Sequence, residues 1–477
     1  MNRKNAAFIL ITLGVFIILF FSKVFQHGLF FDGLIYSSLS NNLANGIGSF
    51  WEPHFSETIY PAFYEHPPLV FGMESIFMNL FDGAFFSEKL FSFLMACLTV
   101  LFMVLIWRKV VPGKELKQLL WLPVLFWIIT PKNSWSFNNN LLENTMGVFS
   151  LGSVYLLLIS LQLRGFKKHV TIGCTAILLL LAFMSKGFPG LFPLGFFFLY
   201  MLFFKQNYTF RKFLKDTGIL VLFTGGVSFL FFFFNEAAQS NIGAYIETQV
   251  FGSITGKSRV GSRPVLMKNL FNELIPLLII SAIVFGVYRR KAIDLIKGNL
   301  VLGKWALLFV VIGLSASVPL MVSPKISSFY LIPTLPYFTM AFAFILSPMI
   351  LEFTKKVTAS KLGFGITGFL GITAVIIGVT LTIVNTNTVG RNHDIFNDMD
   401  QLELVLEPHT TVSIHTKYHA DWTTIAYLQR YLNVSVDRGA ILREYYLIPV
   451  NSAVPQDYEK IDLATEKFDL VKAITVQ

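Results

Sequence analysis

The sequence predicts an all-α polytopic membrane protein that ends in a small α/β domain, and three observations predict it. Hydrophobic residues make up 54% of the 477 positions and charged residues only 14%, well below the quarter or so of a water-soluble globular chain. Apolar runs recur at lengths near the roughly 20 residues that cross a bilayer. The basic residues gather between alternate runs, as membrane topology requires.

Eleven runs qualify, at about residues 7–25, 91–107, 116–130, 146–163, 171–184, 188–204, 218–234, 274–288, 305–322, 330–353 and 362–384. With the N-terminus cytoplasmic, 21 of the 38 Lys and Arg residues fall in inside segments, nine fall in outside segments, and eight lie beyond residue 384. An odd number of spans then leaves the C-terminus extracytoplasmic. The start, Met1-Asn2-Arg3-Lys4, precedes an apolar run with no small-residue cleavage site after it, and so reads as an uncleaved first membrane helix.

The net charge of +10 does not point to nucleic acid, because a basic groove needs its charges on one face. Cys97 and Cys174 both lie inside apolar segments, which offers neither a disulfide framework nor a thiolate zinc site. The sequence specifies no cofactor and leaves room for a divalent cation.

Polar residues concentrate just after the first span. Seven carboxylates lie between Asp32 and Glu88, in a chain whose spans carry almost none. Residues 32–44 have the apolar spacing of a short amphipathic helix lying at the membrane interface. Pro67-Pro68 should end one element and begin another. In the tail, residues 411–414, 445–448 and 468–471 read as strands, and Asp421 as the N-cap of a helix reaching Tyr431. The domain boundary is placed at 384/385, with the first external segment, 27–88, belonging to the membrane domain as its catalytic loop. His415 and His419 have i,i+4 spacing, but His415 follows the predicted strand and the helix begins only at Asp421, so they form no zinc pattern.

Asp32, the stretch Tyr64-Glu65-His66-Pro67-Pro68-Leu69, Ser87-Glu88-Lys89-Leu90 opening the second span, Leu142-Glu143-Asn144 after the third, Ser185-Lys186-Gly187, and Lys325 followed by Phe329-Tyr330, Pro333 and Pro336 form an ordered series. The series resembles the GT-C-fold membrane glycosyltransferases of the protein mannosyltransferase and aminoarabinose transferase group, a glycosyltransferase family 39/83-like pattern. The resemblance covers about residues 30–336. It implies an enzyme that takes a sugar from a polyprenyl-phosphate carrier and gives it to a lipid, glycan or protein acceptor on the outer face of the inner membrane.

In that resemblance Asp32 is the first acidic position and Glu143 the second. An inverting transfer needs the acceptor hydroxyl to lose its proton, which a positioned carboxylate can take. Asp32 could instead cap the helix that follows, and Glu143, in the short external turn 132–146, could be a solvated loop carboxylate. Lys186 and Lys325, at outer ends of spans, would face the donor phosphate, although lysines there also snorkel to headgroups. His66 stands where some members carry lysine, and an imidazole can still donate to phosphate. Arg263, with Lys257 and Arg259 in the external loop 235–273, could cover the phosphate or solvate the loop. Tyr64, Glu65 and Tyr330 complete the series as substrate contacts.

Two other functions compete with this one. A polyprenyl-linked oligosaccharide polymerase or ligase would use the same kind of donor. A lipid-glycan flippase or transporter would instead show ionisable residues at midplane and repeat symmetry between halves, and the spans show neither.

Overall fold

The computed structural model describes residues 3–252, 263–322, 326–439 and 441–474. Within them the chain forms two compact bodies. One comprises Met1–Val24, Ser92–Asn138 and Leu142–Val384, and the other comprises Phe25–Phe91, Asn139–Leu141 and Asn385–Gln477.

The first body is helical. Among the described residues, eight helices are long and apolar enough to cross a membrane: Ser87–Val110, Leu142–Ser160, Gly165–Lys186, Phe210–Phe233, Val265–Arg289, Leu300–Val322, Ser328–Ala359 and Lys361–Asn385. The first of these has its opening turn in the second body. The protein is thus a multi-pass membrane protein.

The remaining three apolar runs are shorter or broken helices, for identifiable reasons. The first turns from α-helix (Arg3–Phe16) into π-helix (Ile17–Phe21), where the Ser22 amide reaches back to the Ile17 carbonyl at 2.9 Å. Asn138 donates to the Leu19 carbonyl at 2.9 Å. The run 188–204 starts as 3₁₀-helix, Phe188–Gly195, with Pro189 near its start and Pro193 inside, and becomes α-helical only over Phe196–Phe203. Proline cannot donate to the helical ladder and crowds the preceding turn. The run 116–130 is broken into the end of a short helix, Lys114–Lys117, and an eight-residue helix, Trp121–Ile128, with Pro123 in its first turn.

The second body joins two stretches far apart in sequence. Helix Phe31–Ala44 is buried continuously from Gly33 to Asn42, so it is a core helix and not the interfacial amphipathic helix that the spacing suggests. Its polar residues tolerate burial because they satisfy themselves. Ser37, Ser38 and Ser40 each donate to the carbonyl four residues back, at 2.6, 2.8 and 2.8 Å, leaving no dry hydroxyl. Pro68 takes the N-cap position of the next helix, Leu69–Leu80, as the proline pair suggests.

The tail folds as a five-stranded mixed sheet with helices His393–Leu402 and Trp422–Leu432. Its strands are β1 (Thr411–Ile414), β2 (Ser435–Asp437), β3 (Tyr445–Pro449), β4 (Tyr458–Lys460) and β5 (Phe468–Ala473), ordered β2-β1-β3-β5-β4. β1 runs parallel to β2 and β3, while β5 is antiparallel to β3 and β4. Asp421 caps its helix by accepting from the Thr424 amide at 3.2 Å. The buried Asp398 accepts from the amides of Glu466, Lys467 and Phe468 at 2.5, 2.9 and 2.9 Å, and so fixes the start of β5.

The first-loop residues and the tail share one core. Helix Trp422–Leu432 packs against helix Phe31–Ala44. Glu88 and Arg430, 0% and 5% exposed, form a buried ion pair at 2.9 Å. Arg430 also donates to the carbonyls of Gly83 and Ala84, at 3.0 and 3.3 Å.

Candidate functional site

In the membrane body, Glu143 and Lys186 come together. Helices Leu142–Ser160 and Gly165–Lys186 are neighbours joined by a short turn, so the start of one lies beside the end of the other. Glu143 is in the first turn of its helix and Lys186 is the last residue of its own, which is the arrangement the two helix dipoles favour. The Lys186 ammonium donates to Glu143 Oε1. Glu143 is 1% exposed and the Lys186 side chain 10%, so Glu143 is a buried, ion-paired residue and not a solvated loop carboxylate. The turn expected at 132–146 is instead a helix, Pro131–Phe137, followed by the start of Leu142–Ser160.

Around the pair, the Lys186 ammonium stands 4.9 Å from the Tyr330 ring centroid and 5.6 Å from that of Phe329. Trp135 stacks on Phe329 at 6.0 Å and carries the Lys132 ammonium at 4.5 Å. Gly187 ends the lysine's helix at φ 85°, and a Cβ there would lie 1.8 Å from the Tyr245 hydroxyl. Only glycine satisfies both conditions. The second Glu143 oxygen, Oε2, is buried with no hydrogen-bond partner among the described residues. A buried carboxylate oxygen without a donor is costly, and a ligand hydroxyl would supply one.

Asp32, Tyr64, Glu65 and His66 belong to the second body. Asp32 is half-buried in the first turn of helix Phe31–Ala44, while Phe30 holds the N-cap position, so Asp32 is not the cap. The adjoining Gly33 is packed against the chain at Asn139: a Cβ on Gly33 would lie 2.1 Å from the Asn139 carbonyl oxygen. Asn139 also accepts from the Phe30 amide at 2.6 Å and from Arg391 at 3.3 Å. The next residue, Asn140, adopts φ 52° and donates to Glu74 at 2.8 Å. Burial pushes the Glu74 carboxyl up to about 8; Glu88 adds to the shift while Asn140 and Arg430 oppose it.

The other expected residues have local partners. His66 meets the Tyr36 ring edge-on at 5.8 Å. Tyr64 donates to Glu52 at 3.3 Å, and Glu65 accepts from the Tyr60 hydroxyl at 2.7 Å. Arg263 is exposed in the turn before helix Val265–Lys297. Lys325, Lys257 and Arg259 lie outside the described residues. Among the described residues no group of three or more His, Cys, Asp or Glu side chains could hold a metal ion.

Gly33, Asn139 and Asn140 are functional candidates that the reading by residue type passes over. The signal was present in the Asp32-Gly33 pair and the Asn138-Asn139-Asn140 run, but single-residue chemistry assigns glycine and asparagine no role.

The fold and these sites define a multi-pass membrane protein of the GT-C architecture. The chain is similar over 97% of its length, and 97% of the other chain, to the crystal structure of ArnT from Cupriavidus metallidurans in the apo state, at 14% identity and a TM-score of 0.61. The same protein bound to undecaprenyl phosphate matches at 13% identity, TM-score 0.57, with the same coverage. The archaeal oligosaccharyltransferase AglB from Archaeoglobus fulgidus, in complex with an inhibitory peptide and a dolichol-phosphate, matches at 12% identity and TM-score 0.50, over 91% of this chain and 64% of that one. The family model described as dolichyl-phosphate-mannose-protein mannosyltransferase matches residues 65–231, a stretch that contains Glu65, His66, Glu143 and Lys186. No curated protein sequence matches the chain.

Proposed function

We propose that the protein is a membrane glycosyltransferase that moves a sugar from a polyprenyl-phosphate carrier to an acceptor on the outer face of the cytoplasmic membrane, with its C-terminus on that face. The observation that carries this reading is the buried Glu143–Lys186 pair, walled by Tyr330 and Phe329 and with one carboxylate oxygen unpartnered. The GT-C fold and the mannosyltransferase family match across this pair support it.

In the transfer, the acceptor oxygen bonds to the anomeric carbon as the bond from that carbon to the carrier phosphate breaks. The electron pair leaves with the phosphate, and the hydroxyl proton passes to a carboxylate. Asp32 takes that proton in this reading, with Glu143 as the second acidic group. Lys186 stabilises the leaving phosphate, and a preformed cation in a dry site needs little reorganisation to do so. In this reading residues 1–384 carry the transferase chemistry, with 27–88 as the catalytic loop, and the tail from 385 is an external domain into whose body that loop packs.

The test is Asp32→Asn, which keeps the shape of the side chain but removes the proton acceptor. In a lipid-reconstituted transfer assay it should lower turnover by roughly 10²–10⁴-fold with donor-lipid binding intact. Wild-type turnover by this variant removes Asp32 as the base. Mass spectrometry of membrane lipids should show a polyprenyl-phosphate sugar accumulating when the protein is absent.

A further inference from the structure

We infer that Arg438, Trp422 and Tyr60, in the body built from the first loop and the tail, form a binding site for a saccharide that carries a phosphate or carboxylate group. Arg438 follows β2 directly and lies with its guanidinium 4.6 Å from the Trp422 ring centroid. Tyr60 stacks against Trp422 at 6.0 Å, with 20° between the planes. The three side chains, two from the tail and one from the first loop, are each half-buried.

The guanidinium is the informative group. Its Nε and Nη2 atoms are buried and have no hydrogen-bond partner among the described residues. Those two N–H groups form one edge of the fork, the edge that meets two oxygens of a carboxylate or phosphate side by side. Nearby acids are engaged elsewhere. Asp437 accepts from Arg443 at 2.6 Å and from the Gly439 amide at 2.7 Å, and Glu65 accepts from Tyr60 at 2.7 Å. A cation whose paired donors lack an acceptor among the described residues is a site for an oxyanion.

The neighbours indicate what bears the oxyanion. Trp422, with Arg438 over its ring and Tyr60 stacked beside it, gives the cation an aromatic surround whose exposed parts can border a sugar ring, and the Tyr60–Glu65 pair offers hydroxyl and carboxylate oxygens to sugar hydroxyls. The platform is held in place independently of any ligand. Thr58 donates to the Val436 carbonyl at 2.7 Å, and Ser435 accepts from the Glu57 amide at 3.1 Å, which ties residues 57–58 of the first loop to β2. The donor edge is covered as Arg438 lies, and because the residue is half-buried the proposal requires that rotation about its outer side-chain bonds present that edge to the ligand.

The inference rests on the proposed transferase activity only in calling this ligand the acceptor; the binding itself is measured without turnover. Full-length protein in phosphatidylcholine nanodiscs is titrated calorimetrically with N-acetylglucosamine 6-phosphate, N-acetylglucosamine and inorganic phosphate. The sugar phosphate should bind at least about tenfold more tightly than either of the others. Arg438→Gln should weaken it by roughly 10- to 100-fold, the worth of a charged bidentate pair. Arg438→Lys, which keeps the charge but not the fork, should recover only part of the loss. Trp422→Leu should reduce the preference for sugar phosphate over phosphate alone. Unchanged thermal transitions establish that the variants are folded, and Asp32→Asn should bind the sugar phosphate like wild type even where it cannot transfer. Equal binding of the neutral sugar, or full affinity in Arg438→Gln, overturns the site. Full competition by phosphatidylglycerol nanodiscs, with no gain of sugar phosphate over phosphate, makes it a headgroup site and overturns saccharide recognition.

Discussion

Replacing Gly33 by alanine tests how the loop aspartate is positioned, and its size follows from one distance. A Cβ at residue 33 would stand 2.1 Å from the Asn139 carbonyl oxygen and 3.1 Å from its carbon. Carbon and oxygen need a little over 3 Å, so the first turn of helix Phe31–Ala44 must move by about 1 Å from the Asn139 backbone. A displacement of that order, away from the reacting atoms, can cost roughly 10²-fold in rate. Asp32 is the adjoining residue and moves with the turn. Gly33→Ala should therefore lower turnover by about two orders of magnitude in the reconstituted assay while donor binding and protein level hold. Asn139→Asp should be milder, because its side chain can still accept from the Phe30 amide and from Arg391. Wild-type turnover in Gly33→Ala would refute the view that this contact sets the position of Asp32.

Other outcomes follow from the buried charges. Lys186→Met should weaken donor binding as well as rate, since it removes the cation and strands Glu143; a pure rate defect with normal donor affinity would exclude the phosphate role. Arg430→Leu leaves Glu88 buried and unpaired, which should cost about 3–5 kcal/mol of stability in the second body, and the double variant Glu88→Leu with Arg430→Leu should regain much of it in a denaturation cycle. Glu74 is protonated in the folded protein up to about pH 8 but ionises near 4.5 when unfolded, so the unfolded state binds fewer protons and stability falls as pH rises across that window. His27 is held near 4 by burial and then by Lys89. Its contribution therefore rises with pH, but only up to about its ordinary 6.5. Between pH 6.5 and 8 the slope should belong to Glu74, at roughly 1 kcal/mol per pH unit, and Glu74→Gln should flatten it in thermal-shift measurements; parallel curves for the two proteins would sink this assignment.

The apolar runs and the tail strands were legible because both follow from local pattern. Length and hydropathy mark a span, and alternating β-branched and aromatic residues mark β1, β3 and β5. The strands at 435–437 and 458–460 are three residues each, too short to carry a period, and helix His393–Leu402 lay hidden among polar residues. Helix Phe31–Ala44 was legible in its extent but not in its burial. That burial depends on serines bonding their own carbonyls and on a tail helix four hundred residues away. Glu143 and Lys186 could be named as charged residues at the ends of runs. Their pairing could not, because it arises from the packing of two helices, which no spacing within either run encodes. The Arg430–Glu88 pair was invisible for the same reason at longer range.

The environments of the acidic residues also narrow the choice of base. A group that takes a proton from an acceptor must be ionised and must have an oxygen to offer. Glu74 meets the first condition poorly, since burial pushes its carboxyl up to about 8. Glu88 fails the second in practice, because Arg430 engages both of its oxygens, at 3.3 and 2.9 Å. Glu143 is ion-paired with Lys186 through Oε1 and keeps Oε2 without a partner among the described residues, so it can accept a hydrogen bond from a ligand hydroxyl. That arrangement suits it to orient an acceptor or donor hydroxyl. Asp32 is half-buried in the first turn of its helix, and its backbone position is fixed through Gly33 and Asn139. Asp32 is kept as the proposed base on its place in the ordered series of residues, and Asp32→Asn, which removes the proton acceptor and keeps the shape, is the variant that decides between it and Glu143.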